Sequence, residues 1–188
     1  MKFDTHVSLA VNKASFVLGQ LKRTFQYWTM KNFLVLYTTY VRPHLEYAAP
    51  VWSPHHKKDI KALEKVQRRA TKLVPSLKKL VYSDRLAKLG LTTLKERRNR
   101  GDLIQFFKIN SGFNIVNLQR NIAKAPQTGT RKSHHSLVRP PISKISQREH
   151  CFNYRVIPIW NALPNEVIDS SNTNQFKNKL DKHLKHIT

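Results

Sequence analysis

Within YVRPHLEYAAPVW, residues 40–52, Arg42, His44 and Glu46 are residue types of acid–base chemistry, set close together in a segment stiffened by Pro43 and Pro50. A catalytic triad built on them needs a substrate pocket and a third orienting group, and neither is found in the sequence. The same stretch carries Tyr40, Val41, Leu45, Tyr47, Val51 and Trp52, an apolar surface whose turns are set by the prolines. A shaped corner in a helical protein is therefore preferred over a catalytic cluster, with Arg42 and Glu46 at the i,i+4 spacing at which opposite charges pair.

Other chemistries fare no better. Two-metal phosphoryl transfer asks for carboxylates converging on ions ~4 Å apart. The 11 acids are scattered along the chain, and most suit helix capping or pairing with a nearby cation, Glu64 with Arg68 among them. With 5 glycines in all, no glycine-rich phosphate loop is present. The 9 histidines include the neighbours His55–His56 and His134–His135, but such neighbours chelate poorly, and no second pair stands at zinc-finger spacing. The single Cys151 excludes an intramolecular disulfide and a zinc site of paired cysteines. Its setting, EHCFNYRV, predicts a buried structural thiol. No cofactor and no metal are expected.

The strong signal is charge. With 34 Lys and Arg against 11 Asp and Glu, the formal net charge is +23, enough for self-repulsion to oppose the compact state unless a polyanion supplies counter-charge. A hydrophobic content of 40% is too high for a disordered basic tail. Nucleic acid is the expected partner: cations neutralise phosphates and release counterions, with little sequence preference. Most aromatics, Phe33, Phe106, Phe107, Phe152 and Trp160 among them, fall on apolar stripes and are expected to pack in the core. No apolar run approaches a membrane span and no signal-peptide core opens the chain, so no membrane partner and an intracellular, nuclear location are expected.

The elements that position these residues are helical. Val7, Val11, Ala14, Val17, Leu18 and Leu21 make one apolar stripe over Thr5–Phe25, with Thr5 as cap. A second helix is predicted over Lys31–Val41, ending there because Pro43 disfavours helical geometry at Arg42. In HKKDIKALEKVQRRATKLV the residues Ile60, Leu63, Val66, Ala70 and Leu73 face inward, while Lys57, Lys58, Lys61, Lys65, Arg68, Arg69 and Lys72 spread around the rest. A short helix follows, capped by Ser83 and ended by Gly90. The next opens on a Thr93/Glu96 capping box, carries Arg97, Arg98 and Arg100, and closes at Gly112. Residues 117–136 are polar, include the cations Arg131 and Lys132, and lack a helical period. Beyond them SLVRPPISKI suggests a short extended segment; Phe152, Val156, Ile159, Trp160 and Leu163 show helical spacing bent at Pro158. Phe176, Leu180, Leu184 and Ile187 line a capped amphipathic C-terminal helix.

The run YTTYVRPHLEYAAPVWSPHHKKDIKALEKVQRRATKLV resembles the region just after the catalytic palm in reverse transcriptases of non-LTR (LINE-type) retrotransposons, the jockey-like group in particular. Tyr37, Val41, Arg42, Pro43, Leu45, Glu46, Tyr47, Pro50, Val51, Trp52, Leu63, Glu64, Gln67, Arg68, Arg69 and Ala70 stand where that family's pattern puts them. The resemblance continues through RLAKLGLTTLKERRNRGDLIQFFKI and FNYRVIPIWNALPNEVIDSSNTNQFKNKLDKHL, and is poorest over residues 114–145. It implies a mainly α fold: a thumb-like basic helical bundle over 1–113, a linker over 114–145, and a C-terminal helical unit over 146–188. The palm aspartates and the endonuclease of that family are absent, so the resemblance implies no catalysis by this chain alone. It implies a truncated copy that grips RNA, DNA or an RNA–DNA hybrid, with the missing palm as a further partner. The candidate phosphate contacts are Lys57, Lys58, Lys61, Lys65, Arg68, Arg69, Lys72, Arg97, Arg98, Arg100, Arg131 and Lys132. Two alternatives stay open: a stand-alone metal-dependent nuclease or polymerase, and a relic of the element with no function.

Overall fold

A computed structural model describes residues 4–114, 136–139 and 150–187, and the fold is mainly α. It divides into two compact units, Met1–Arg98 and Asn99–Thr188. The division falls earlier than the expected boundary at residue 113, and most of the expected linker lies outside the described residues.

In the first unit, α1 (Asp4–Thr24) buries Val7, Ala14 and Leu18, with Val11, Val17 and Leu21 packed beside them. Thr5, expected as its cap, stands inside the first turn, next to the acid Asp4 that the helix dipole favours there. Helix α2 (Met30–Leu36) is capped by Thr29, whose hydroxyl accepts from the Asn32 N–H at 3.1 Å. The chain does not stop at Val41. A turn of π-helix, Tyr37–Val41, carries it into α3 (Arg42–Glu46), with the Arg42 N–H reaching back to the Tyr37 carbonyl. Pro43, which has no N–H to donate, sits in the first turn of α3, where none is needed.

The widened turn also keeps the core in line. Phe33, Tyr37, Val41 and Leu45 are all buried, yet in a regular α-helix each four-residue step drifts by ~40° around the axis. A turn with i→i+5 bonds absorbs part of that drift. Phe33 and Tyr37 stack nearly parallel, with ring centroids 5.4 Å apart.

Ala48 then turns the chain through a left-handed conformation, φ 51° and ψ 26°, into α4 (Ala49–Trp52). The Trp52 indole N–H donates to the Tyr47 carbonyl at 2.5 Å and closes the corner. The stretch 40–52 is thus a corner, but a one-sided one: Val41, Leu45 and Trp52 are buried, whereas Tyr40, Tyr47 and Val51 are exposed. An apolar letter in a short helix can stand on either side of it.

Helix α5 (Lys57–Ala70) packs alongside α1, and two turns of 3-10 helix follow, Thr71–Leu73 and Pro75–Leu77. The end of α5 is held by a buried arginine from α6 (Tyr82–Leu89): Arg85 donates to the Arg68 carbonyl, the Thr71 hydroxyl and the Leu80 carbonyl, at 3.4, 2.9 and 2.7 Å. A cation at carbonyls left open by a helix C-terminus is well placed. Helix α6 starts two residues earlier than expected, after Val81, and Ser83 does not cap it. Gly90 ends it at φ 61°, a conformation costly for other residues.

Helix α7 (Leu94–Asn110) opens on the expected capping box: the Thr93 N–H donates to Glu96 at 2.9 Å and the Glu96 N–H to Thr93 Oγ1 at 3.2 Å. The second unit begins within it. Its core joins Phe106 and Phe107 with Trp160 of α8 (Phe152–Asn161), Val167 of α9 (Asn165–Ile168), and Phe176 and Leu180 of α10 (Thr173–Ile187). Phe107 and Phe176 stack at 4.3 Å, and an ion pair ties the buried Asp102 to the half-buried Arg155 at 2.7 Å. Pro158 is accommodated inside α8. The Asn161 side chain pairs with Val138 as a neighbouring strand would, accepting from its N–H at 3.1 Å and donating to its carbonyl at 2.8 Å. Asn172 caps α10 through the Gln175 N–H at 2.8 Å.

Cys151 is exposed, contrary to expectation: it occupies the N-cap of α8, outside the stripe its neighbours form. No described helix is long and apolar enough to cross a membrane.

Ala48→Gly is expected to raise stability by about 0.5–1 kcal/mol, the left-handed penalty less the entropy glycine adds to the unfolded chain. Urea unfolding of the two proteins measures it, and an unchanged or lowered midpoint contradicts the account of the corner.

Candidate nucleic-acid interface

Helix α5 is built on an unusual inner face. Leu63, Val66 and Ala70 are buried as the period requires, and Glu64 and Gln67 are buried with them. The cations Lys57, Lys58, Lys61, Lys65, Arg68, Arg69 and Lys72 are all exposed. At 100° per residue, those from Lys57 to Arg69 fall within an arc of ~120° that contains no acid, and Lys72 in the following turn extends it to a length of about 22 Å. They are gathered on one side of the helix rather than spread around it. Asp59 and Glu64 lie outside the arc.

Neighbouring helices fix its edges. Lys58 pairs with Asp4 at 3.0 Å, and Arg69 donates to the Ser15 hydroxyl at 2.8 Å. Both contacts span 54 residues, so α1 and α5 run parallel. On the opposite edge, the Arg68 guanidinium lies over the Tyr82 ring, 4.2 Å from its centroid. Among the described residues no ion pair involves Lys61, Lys65 or Lys72. The mutual Asp4–Lys58 contact lowers the Asp4 pKa and raises that of Lys58.

The α7 candidates are placed differently. Arg97 is engaged with Glu46 through two bonds, one of them Nη2 to Oε2 at 3.1 Å. Arg98 is buried at 4% exposure. Arg100 grips Asp181 bidentately, at 2.5 and 2.8 Å. These charges serve packing within their units, and sequence reasoning could not see it because Glu46 and Asp181 are remote in the chain. Arg131 and Lys132 lie outside the described residues.

Beneath the arc lies a saturated polar network. Glu64 Oε1 accepts from the Tyr82 hydroxyl and Oε2 from the Leu94 N–H at 3.1 Å. Gln67 donates to the Thr92 carbonyl at 3.0 Å and to Tyr82 Oη at 2.9 Å, and its own oxygen accepts from Tyr37 at 2.6 Å. Glu64 therefore does not pair with Arg68, as its spacing suggested; its carboxylate points inward and is filled. Burial raises the pKa of both tyrosines above the ordinary range, and for Tyr82 the bond to Glu64 adds to the effect.

At the corner, Glu46 meets Arg97 and stands 3.8 Å from Arg42. Burial, then the Arg97 charge, lowers the Arg42 pKa. This cluster is an ion-pair knot in which the carboxylate is already engaged, a poor general base. Among the described residues no three of His, Cys, Asp and Glu gather where a metal could be held; the His55 and His56 rings lie 4.0 Å apart.

A folded-state pKa raised above the unfolded value contributes stability that is complete below the unfolded pKa and is lost as pH rises past it. The stability of the wild type relative to Tyr37→Phe is therefore expected to be constant at neutral pH and to decline above about pH 10. Urea midpoints of both proteins across that range test this, and a constant difference contradicts it.

No family profile and no solved structure matches the chain. A Caenorhabditis elegans protein described only as uncharacterized is similar to it, 28% identical over 134 residues that cover 68% of this chain and 68% of that protein.

Proposed function

We propose that the chain is a non-catalytic nucleic-acid-binding module, the thumb-like and downstream part of a non-LTR retrotransposon reverse transcriptase, gripping template–primer duplex or element RNA through basic helices. The observation that carries this reading is the acid-free cationic arc of α5, set on a buried framework. The family part rests on the resemblance in the sequence, from Tyr37 to Ala70 above all. Within that family the palm supplies catalysis, so the palm is the protein partner proposed, and the nucleus the place of work.

The geometry narrows the contacts. Lys61, Lys65 and Lys72 stand at the middle of the arc and Lys57, Lys58, Arg68 and Arg69 at its edges; Arg97 and Arg100, engaged with carboxylates, are assigned to stability instead. Helical spacing places the arc's cations about one turn apart, ~5.4 Å, so a single face can meet several phosphates without any base being read.

Fluorescence anisotropy with a short labelled DNA duplex tests this. The logarithm of affinity is expected to fall linearly with the logarithm of salt, and Lys61→Ala, Lys65→Ala and Lys72→Ala each to reduce the slope by about 0.9. Arg97→Ala is expected to lower the urea midpoint and leave the slope unchanged. No salt dependence in the wild type contradicts the reading.

A further inference from the structure

Arg68 is built differently from the rest of the α5 face. Its natural helical partner, Glu64, is occupied by Tyr82 and Leu94, and among the described residues no carboxylate pairs with Arg68. Its guanidinium is laid over the Tyr82 ring instead. That ring is held in place: its hydroxyl donates to Glu64 and accepts from Gln67 at 2.9 Å, and both of those side chains are buried and bonded onward to the backbone at Leu94 and Thr92. A second guanidinium, that of Arg85, lies 5.4 Å from the ring centroid, but its donors are given to carbonyls and a hydroxyl around the end of α5. It is buried, whereas Arg68 is exposed.

We infer that Tyr82 is a positioning residue for Arg68, holding its planar fork over a fixed ring so that Arg68 is the oriented phosphate contact of the α5 face. This deepens the nucleic-acid reading and rests on it. An exposed arginine or lysine loses rotamer freedom when it grips an anion, and much of the interaction is offset by that loss. A guanidinium already resting on an aromatic face loses less, and its free edge still offers the paired N–H donors that match two phosphate oxygens. The lysines of the arc have neither the plate nor the fork. Arg68 is thus preorganised where they are adaptable, which is the general route by which one contact comes to dominate a diffuse charged surface.

The test is a double-mutant cycle read by anisotropy on the same duplex at fixed salt, with the salt slope measured for each protein. Arg68→Ala is expected to weaken binding about tenfold. In a Tyr82→Leu background, itself weakened, the further loss is expected to stay within about twofold. Tyr82→Phe keeps the ring and is expected to keep the wild-type affinity while lowering the urea midpoint, since Glu64 loses a donor; a purely structural role for Tyr82 would not separate the two readouts. Arg68→Lys, an exposed change that leaves the fold alone, keeps the charge and is expected to lose most of the tenfold. Arg68→Lys binding as tightly as wild type, or Arg68→Ala costing the same tenfold with leucine at 82, overturns the inference alone. A wild type without salt-dependent binding overturns it together with the nucleic-acid reading.

Discussion

A carboxylate and an amide buried on the inner face of the most basic helix set the conditions for the rest of the first unit. Glu64 and Gln67 could be tolerated there only with every polar atom given a partner, because an unsatisfied buried polar group costs about 1–3 kcal/mol and a charged one more. The fold meets that demand by bringing Tyr37 from the π-turn, Tyr82 from α6, the Thr92 carbonyl and the Leu94 N–H to one place. These partners come from the π-turn, α6 and the start of α7, so with α5 itself the register of four elements is fixed by one network. A purely apolar α5 interior would leave the rotation of the helix free by comparison.

That rotation decides what α5 displays. With Leu63, Glu64, Val66, Gln67 and Ala70 all turned inward, the exposed positions of α5 are all cations, and the acids fall outside their arc. Network and cationic face are two consequences of one phase of the helix. The edges are trimmed by α1, which supplies Asp4 and Ser15, and by Tyr82, which belongs to both the network and the surface. Elsewhere the excess charge is absorbed locally: Arg97 by Glu46, Arg100 by Asp181, Arg155 by Asp102, Arg85 by the Arg68 and Leu80 carbonyls.

How much of this could be read in the sequence depended on range. The stripe of α1, the inner apolar positions of α5, the Thr93/Glu96 capping box and the left-handed Gly90 are local, and each is written in spacing and residue type. The continuation of α2 through Pro43 was not legible, because it depends on a π-turn that keeps Phe33, Tyr37, Val41 and Leu45 aligned in the core. Glu64 looked like a partner for Arg68 since the i,i+4 rule knows nothing of Tyr82 or Leu94. Arg97 and Arg100 looked like surface cations for the same reason. The burial of Gln67 had one faint signal, a polar residue at a position where the apolar period of α5 calls for a core side chain.

The central claim is that the α5 face, and no other cationic surface in the first unit, lies against the phosphates. Limited acetylation of lysines, followed by mass spectrometry with and without a saturating DNA duplex at low salt, examines that claim directly. Selective protection of Lys61, Lys65 and Lys72, with Lys13, Lys78, Lys79 and Lys88 left as reactive as in the free protein, is the predicted result. Equal protection at all of these sites, or none at the α5 positions, contradicts it.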